Sequence, residues 1–351
     1  MNANNWSERL SNSKFQKLPK VDLHCHIDGA LRVATIRDLA KEKNAALPTE
    51  DLQELAKYVQ VPESCRSLGD FLKTFDFFYP FLMGEGPMER AMYELCEDMA
   101  KDGVLYFEGR FAPILQTNKN TPDRAGVMDR ITAAVVRGAE AGMRDFGVEC
   151  GIILCCYRSE TPESSIATVE LADKHRGMVV GIDLAGDEHN FPIESHAAAF
   201  SRAEEMELQV TIHAGEASGS ESVRSALDIG KAKRIGHGVR IKDDEELQGR
   251  IRDEGICVEC CLTSNLQTCT VADLSEHPFP RFREQGICAT INTDDPGVSG
   301  ISLSYEYDVA SRAFDYDKED LMSITLDAMD HAFTDQNVKE RIKSKIVAGW
   351  S

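Results

Sequence analysis

Apolar residues fall along this chain in short dense runs, and between the runs they recur at helical spacing. Eight runs have strand character, rich in Val, Ile, Leu and Phe. They are KVDLHCHIDG (20–29), VLYFEGRFAP (104–113), VECGIILCCYR (148–158) and MVVGIDLAGDE (178–188). LQVTIHAGE (208–216), KRIGHGV (233–239), GICVECCLTSN (255–265) and GICATINTDDP (286–296) complete the set. Intervening segments such as GPMERAMYELCEDMAKDG and IESHAAAFSRAEEMEL carry the helical period. Strands alternating with helices predict an α/β protein with parallel strands. Eight of them in 351 residues predict a closed (β/α)8 TIM barrel with additional helices. A doubly wound sheet is the alternative. No linker, low-complexity tract or charge block interrupts the pattern, so residues 1–351 are expected to form one domain.

The polar residues favour the barrel. His26, Asp28, Gly186, Asp187, His213, Glu216, His237, Ser264, Asn265, Asp294 and Asp295 all fall at or just past the C-terminal ends of the runs. That end of a barrel is where active sites are built. No glycine-rich dinucleotide fingerprint follows the first strand, which weakens the doubly wound reading.

Side chains alternate across a strand, so His24 and His26 point to the same side. Alone, the pair reads equally as a hydrogen-bonded structural pair or as metal ligands. His213 in TIHAGE, His237 in RIGHGVR and Asp294-Asp295 in NTDDPG stand at other strand ends, which a closed barrel brings to one cavity. Three imidazoles and a carboxylate around one cation make a typical zinc set with a position left for water.

Composition narrows the partners. With 42% hydrophobic and 28% charged residues the chain has an ordinary soluble composition. Its 59 acidic against 39 basic residues give a formal charge of −20, which repels phosphate backbones and anionic lipid heads. Nucleic acid and membrane are therefore not expected as partners, and a small neutral or cationic substrate is. MNANNWSERL lacks the apolar core of a signal peptide, and no stretch approaches the roughly 18 apolar residues of a span. Of the 11 cysteines, Cys155-Cys156 and Cys260-Cys261 sit in strand-like runs as small buried hydrophobes. CVEC (257–260) has no second pair to complete a zinc ribbon. A reduced, cytoplasmic location is expected.

HCHIDG, SLGDFLKTFD, RFAP (110–113), DLAGDE, HAGE, RIGHGV, TSN and NTDDPG occur in this order over nearly the whole chain. In this the chain resembles the adenosine deaminases, a metal-dependent barrel family of the amidohydrolase superfamily. The resemblance implies that His24, His26, His213 and Asp294 hold one Zn2+ per subunit. It makes Glu216 the acid beside the purine N1 and His237 the group beside the attacking water. It also puts His26 and the Gly186 backbone against the substrate, the latter near N3, with Asp295 near N7. Asp28 would meet the ribose 5′-hydroxyl, where adenine deaminases carry Glu. No lysine stands in GIDLAGDE to bridge two metals, which favours one ion.

The implied reaction is hydrolysis of adenosine and 2′-deoxyadenosine to inosine and 2′-deoxyinosine, with release of ammonia. Zinc lowers the pKa of a bound water from about 15.7 towards roughly 7. His237 is expected to orient that water and take its proton, with Asp294 assisting. Glu216 needs a pKa raised by burial to hold a proton for N1. Asp295, beside Asp294, is expected to be protonated as well.

Each residue has a plainer reading. Glu216 also reads as a solvated loop carboxylate, and Asp295 as a turn cap before Pro-Gly. Leu68, Phe71, Leu72 and Phe75 share one helix face, which reads as core-facing, as an apolar lid over the purine, or as both. Asp183 and Ser264 are expected to support the site's histidines. His175, His189, His196, His277 and His331 read as structural or surface residues. The partner is a purine nucleoside, with the protein a monomer or homodimer. Rival substrates are 5′-methylthioadenosine, aminodeoxyfutalosine and adenine. Rival classes are a non-catalytic adenosine-binding barrel and a zinc hydrolase of another amide or phosphoester.

Overall fold

A computed structural model describes residues 13–351. Its eight strands are β1 (Lys20–His26), β2 (Val104–Phe111), β3 (Glu149–Tyr157), β4 (Val179–Ala185), β5 (Thr211–Ala214), β6 (Arg234–His237), β7 (Cys257–Cys260) and β8 (Ala289–Ile291). Each lies inside one of the eight expected runs, and every pairing is parallel in chain order. Bridges Ile182↔Val210 and Cys25↔Asp294 join β4 to β5 and β8 back to β1, closing the (β/α)8 barrel. At the second seam the His26 amide donates to Asp294 O at 2.7 Å, and the Asp294 amide to His24 O at 2.8 Å. Closure itself therefore brings three expected site residues together.

The strands are buried nearly throughout, because helices cover one face and the barrel interior covers the other. The seventh run breaks sooner than its apolar character suggests. After Cys260 the chain enters a helix, Leu262–Gln267, so Ser264 and Asn265 stand on a helix and not at a strand end.

Inside, the lower barrel is polar. Glu108, Arg110, Asp183, Arg234 and Glu259 are fully or almost fully buried and form one chain of ion pairs. Phe15, Tyr307 and Trp350 pack together, and Trp350 Nε1 donates to Pro19 O at 2.7 Å. At the strands' N-terminal ends Arg234 stacks over the Phe333 ring, 3.6 Å from its centroid. No helix among the described residues is long and apolar enough to cross a membrane.

Candidate active site

At the C-terminal mouth lies a cavity of about 270 Å³. His26, Asp28, Gly186, His213, Glu216, His237, Asp294 and Asp295 all line it. Of the strand-end residues, Asp187, Ser264 and Asn265 do not line it, and Asp187 accepts from Asn190 within its own loop.

Four side chains converge on one point. His24 Nε2 lies 3.0 Å from His213 Nε2, and His26 Nε2 lies 3.2 Å from the same atom. Asp294 Oδ1 stands 3.2 Å from His24 Nε2 and 3.4 Å from His26 Nε2. Ligands about 2.0–2.1 Å from a tetrahedral centre are separated by about 3.3 Å, so these spacings fit a metal polyhedron. The protons agree. His24 Nδ1 donates to Glu259 Oε2 at 2.9 Å, and His213 Nδ1 sits 2.8 Å from Asp183 Oδ2. With their protons on Nδ1, both imidazoles turn lone pairs inward, and two lone pairs 3.0 Å apart repel unless a cation lies between them. The donor set therefore fits a metal ion.

The carboxylates behind these histidines are held charged. Burial would raise Asp183 and Glu259, but His213 and Arg110 beside the first, and Arg110 and Arg234 beside the second, hold both well below the usual carboxylate range. Glu259 is a supporting residue that its sequence does not announce, since it stands within the apolar CVEC run. On the other side, Ser264 Oγ donates to Asp294 Oδ2 at 2.6 Å. Gly236 leaves room for His24, because a Cβ there would sit 2.9 Å from His24 Cε1.

His237 and Asp294 both have positive φ, 63° and 61°. Among non-glycine residues this left-handed region is sparsely used, with Asn, Asp and His its commonest occupants. The local strain turns both side chains back over the mouth at the point where β6 and β8 end.

Glu216 faces the same cavity with Oε2 3.6 Å from His237 Nε2. Burial, then the Asp294 and Glu188 charges, push its carboxyl well above the usual range, which favours its protonated form. The loop carrying it is templated by buried Glu188. Oε1 accepts from the Gly215 amide at 2.6 Å, and Oε2 accepts from those of Glu216, Ala217 and Ser218 at 3.1, 2.7 and 2.9 Å. Asp295 is likewise raised, by burial first and the Asp294 charge second. Its Oδ1 is buried without a hydrogen-bond partner. Gly29 permits this packing, since a Cβ there would lie 1.7 Å from Asp295 Oδ1.

At the opposite wall Tyr79 donates to Asp28 Oδ2 at 2.5 Å, and burial pushes the Asp28 carboxyl up to about 6. Leu68, Phe71, Leu72 and Phe75 all line the cavity. They do so from a one-turn helix, Leu68–Leu72, followed by a 3-10 segment, Lys73–Phe77, where the spacing predicts one continuous helix. Phe71 and Phe75 are buried, while Leu68 and Leu72 are partly exposed.

Residues 19–349 match the sequence profile of the family described as adenosine deaminase. The adenosine deaminase of Enterococcus faecalis is 36% identical over 338 residues, 96% of this chain and 98% of that one. Among solved structures, an amidohydrolase from Burkholderia ambifaria with bound Zn superposes with a TM-score of 0.85 at 26% identity, covering 100% of this chain and 94% of that one. The Arabidopsis N6-mAMP deaminase gives 0.82 at 29% identity, covering 95% and 99%.

Proposed function

The chain belongs to the adenosine deaminase family, and on that premise we propose that its barrel mouth hydrolyses adenosine and 2′-deoxyadenosine to the inosine nucleosides and ammonia. One observation carries the reading. Buried Glu216, its carboxyl raised well above the usual range, lines one cavity with His26, His213 and Asp294, and His24 Nε2 stands 3.0 Å from His213 Nε2 as the fourth converging donor. A binding protein has no use for that acid, whereas deamination needs a proton on the ring nitrogen.

In this reading His24, His26, His213 and Asp294 hold one Zn2+ per subunit. The cation supplies Lewis acidity that makes hydroxide available near neutral pH. Every other task falls to the chain. Glu216 donates to N1, which draws electrons away from C6 and opens it to attack. Protonated Asp295 donates to N7, for which a charged carboxylate would be useless. Gly186, at φ 104°, brings its backbone close to the base edge near N3. His26 and the apolar wall of Leu68, Phe71, Leu72 and Phe75 pack against the purine and exclude water. Asp28 receives the ribose 5′-hydroxyl, with Tyr79 fixing its other oxygen.

The lining also argues for a free nucleoside over a nucleotide. Asp28 and Asp76 line the cavity, and no lysine or arginine does so among the described residues. A 5′-phosphate there would meet carboxylates and no counter-charge. The partner is thus a small purine nucleoside and not nucleic acid or membrane, for a cytoplasmic protein acting as monomer or homodimer. The test is an ultraviolet assay over adenosine, deoxyadenosine, methylthioadenosine, adenine and AMP, with metal content measured on the same sample. Adenosine and deoxyadenosine should be turned over fastest at about one zinc per chain. Preference for AMP, or activity independent of metal, would overturn the assignment.

A further inference from the structure

His237 has a second neighbourhood, on the side away from the cavity, and its protons can be placed from a fixed starting point. The Phe279 backbone amide donates to His277 Nδ1 at 3.1 Å. A backbone N–H can only donate, so His277 Nδ1 is a lone pair. Burial pushes the pKa of His277 down to about 3, so the ring is neutral and its proton sits on Nε2. His277 Nε2 lies 3.2 Å from Asn265. The amide atom there must therefore be the oxygen, which turns the Asn265 nitrogen towards His237 Nδ1 at 3.0 Å. Two donors cannot face each other, so His237 Nδ1 accepts and the ring's proton lies on Nε2, the nitrogen facing Glu216 and the ligand cluster.

We propose that Asn265 and His277 are positioning residues that lock His237 in its Nε2–H tautomer, making it a hydrogen-bond donor to the attacking oxygen and not the acceptor of its proton. The consequence for the reaction rests on the deaminase reading; the tautomer does not. His237 then holds the oxygen by an N–H bond and favours the charge that develops on it. The water's oxygen bonds to C6 while its proton passes to the Asp294 carboxylate, and the Glu216 proton goes to N1. Asp294 then passes that proton to the amino group, the C6–N bond breaks with its electron pair leaving in ammonia, and the C6 hydroxyl gives its proton back to the Glu216 carboxylate as the carbonyl forms. The expectation that His237 takes the proton is replaced by this division of labour. His277, which by its place in the sequence is a structural histidine, acts on the site through one intervening side chain.

The test uses zinc-loaded protein with 15N-labelled histidine. A long-range proton–nitrogen correlation spectrum, with His237→Gln to assign the signal, reads which ring nitrogen carries the proton. The wild type should show Nε2–H. Asn265→Asp keeps the shape and the His277 contact but replaces the donor with an acceptor. It should move the His237 proton to Nδ1 and lower kcat about 100-fold, with KM changed less than about threefold and zinc content unchanged. His277→Phe removes the anchor and should give mixed tautomers with a loss of about tenfold, whereas His277→Gln, which can still donate, should retain most activity. Nδ1–H in an active wild type would overturn the relay, as would Asn265→Asp with the moved proton and full kcat. A wild type that shows Nε2–H but deaminates no purine would sink the deaminase reading and leave the relay standing.

Discussion

Glu216 and Asp28 are both carboxyls raised by burial, yet the site asks opposite things of them. In the proposed reaction Glu216 works as an acid, so Glu216→Gln, which matches its shape but has no proton to give up, should retain metal and lose about 10²–10⁴-fold in kcat. Substantial remaining turnover would remove Glu216 from its role. In the proposed reading Asp28 works as an acceptor, and burial, which pushes its carboxyl up to about 6, sets a pH window. Above that value it is charged and receives the 5′-hydroxyl; below it the added proton removes an acceptor site. The KM for adenosine should therefore rise about tenfold between roughly pH 7 and 5, while 5′-deoxyadenosine, lacking the hydroxyl, should show a flat profile. Parallel profiles for the two nucleosides would dissociate Asp28 from the ribose.

At the level of elements, the wall built by Leu68–Leu72 and Lys73–Phe77 serves both core and cavity. The two duties separate by burial. Phe71 is 2% exposed, so Phe71→Ala should destabilise the fold by about 3–5 kcal/mol, read as a lowered unfolding midpoint. Leu72 is partly exposed and borders the cavity, so Leu72→Ala should leave the midpoint within a few degrees and raise KM several-fold. If both variants change stability alone, the segment is core and not a lid. The neighbouring loop 215–218 teaches a related point. Its conformation is set by Glu188, thirty residues upstream of Ser218, and not by its own residues.

Across the whole molecule, the metal site and the barrel closure share atoms. His24 and Asp294 belong to the seam where β8 returns to β1, and behind them runs the buried chain of Glu108, Arg234, Glu259, Arg110 and Asp183. That chain holds three carboxylates and two guanidinium groups, so it presents one excess negative charge to the histidines it supports. A bound dication should thus stabilise the fold as well as the reaction. Chelation should abolish turnover and lower the unfolding midpoint together, and added zinc should restore both. Loss of activity with an unchanged midpoint would separate the metal from the architecture.

The alternation of runs and helices was enough to specify eight parallel strands, because a strand buried on both faces must be apolar along its length. The spacing HCHIDG put two imidazoles on one side of β1, and the order of the strand-end motifs marked the residues that line the mouth. Those signals are local, set by strand period and turn chemistry. What depends on neighbours distant in sequence was not legible. Glu259 looks like part of a buried apolar strand until Arg110, Arg234 and His24 are seen around it. Asn265 bears on His237 because it stands on the helix that follows β7, and His277 reaches Asn265 from the end of the 3-10 turn Leu274–Glu276. The sequence by itself determined the barrel and the kinds of group at its mouth. Where each proton sits was decided by the tertiary structure alone, because a proton's place depends on which donors and acceptors the fold sets face to face.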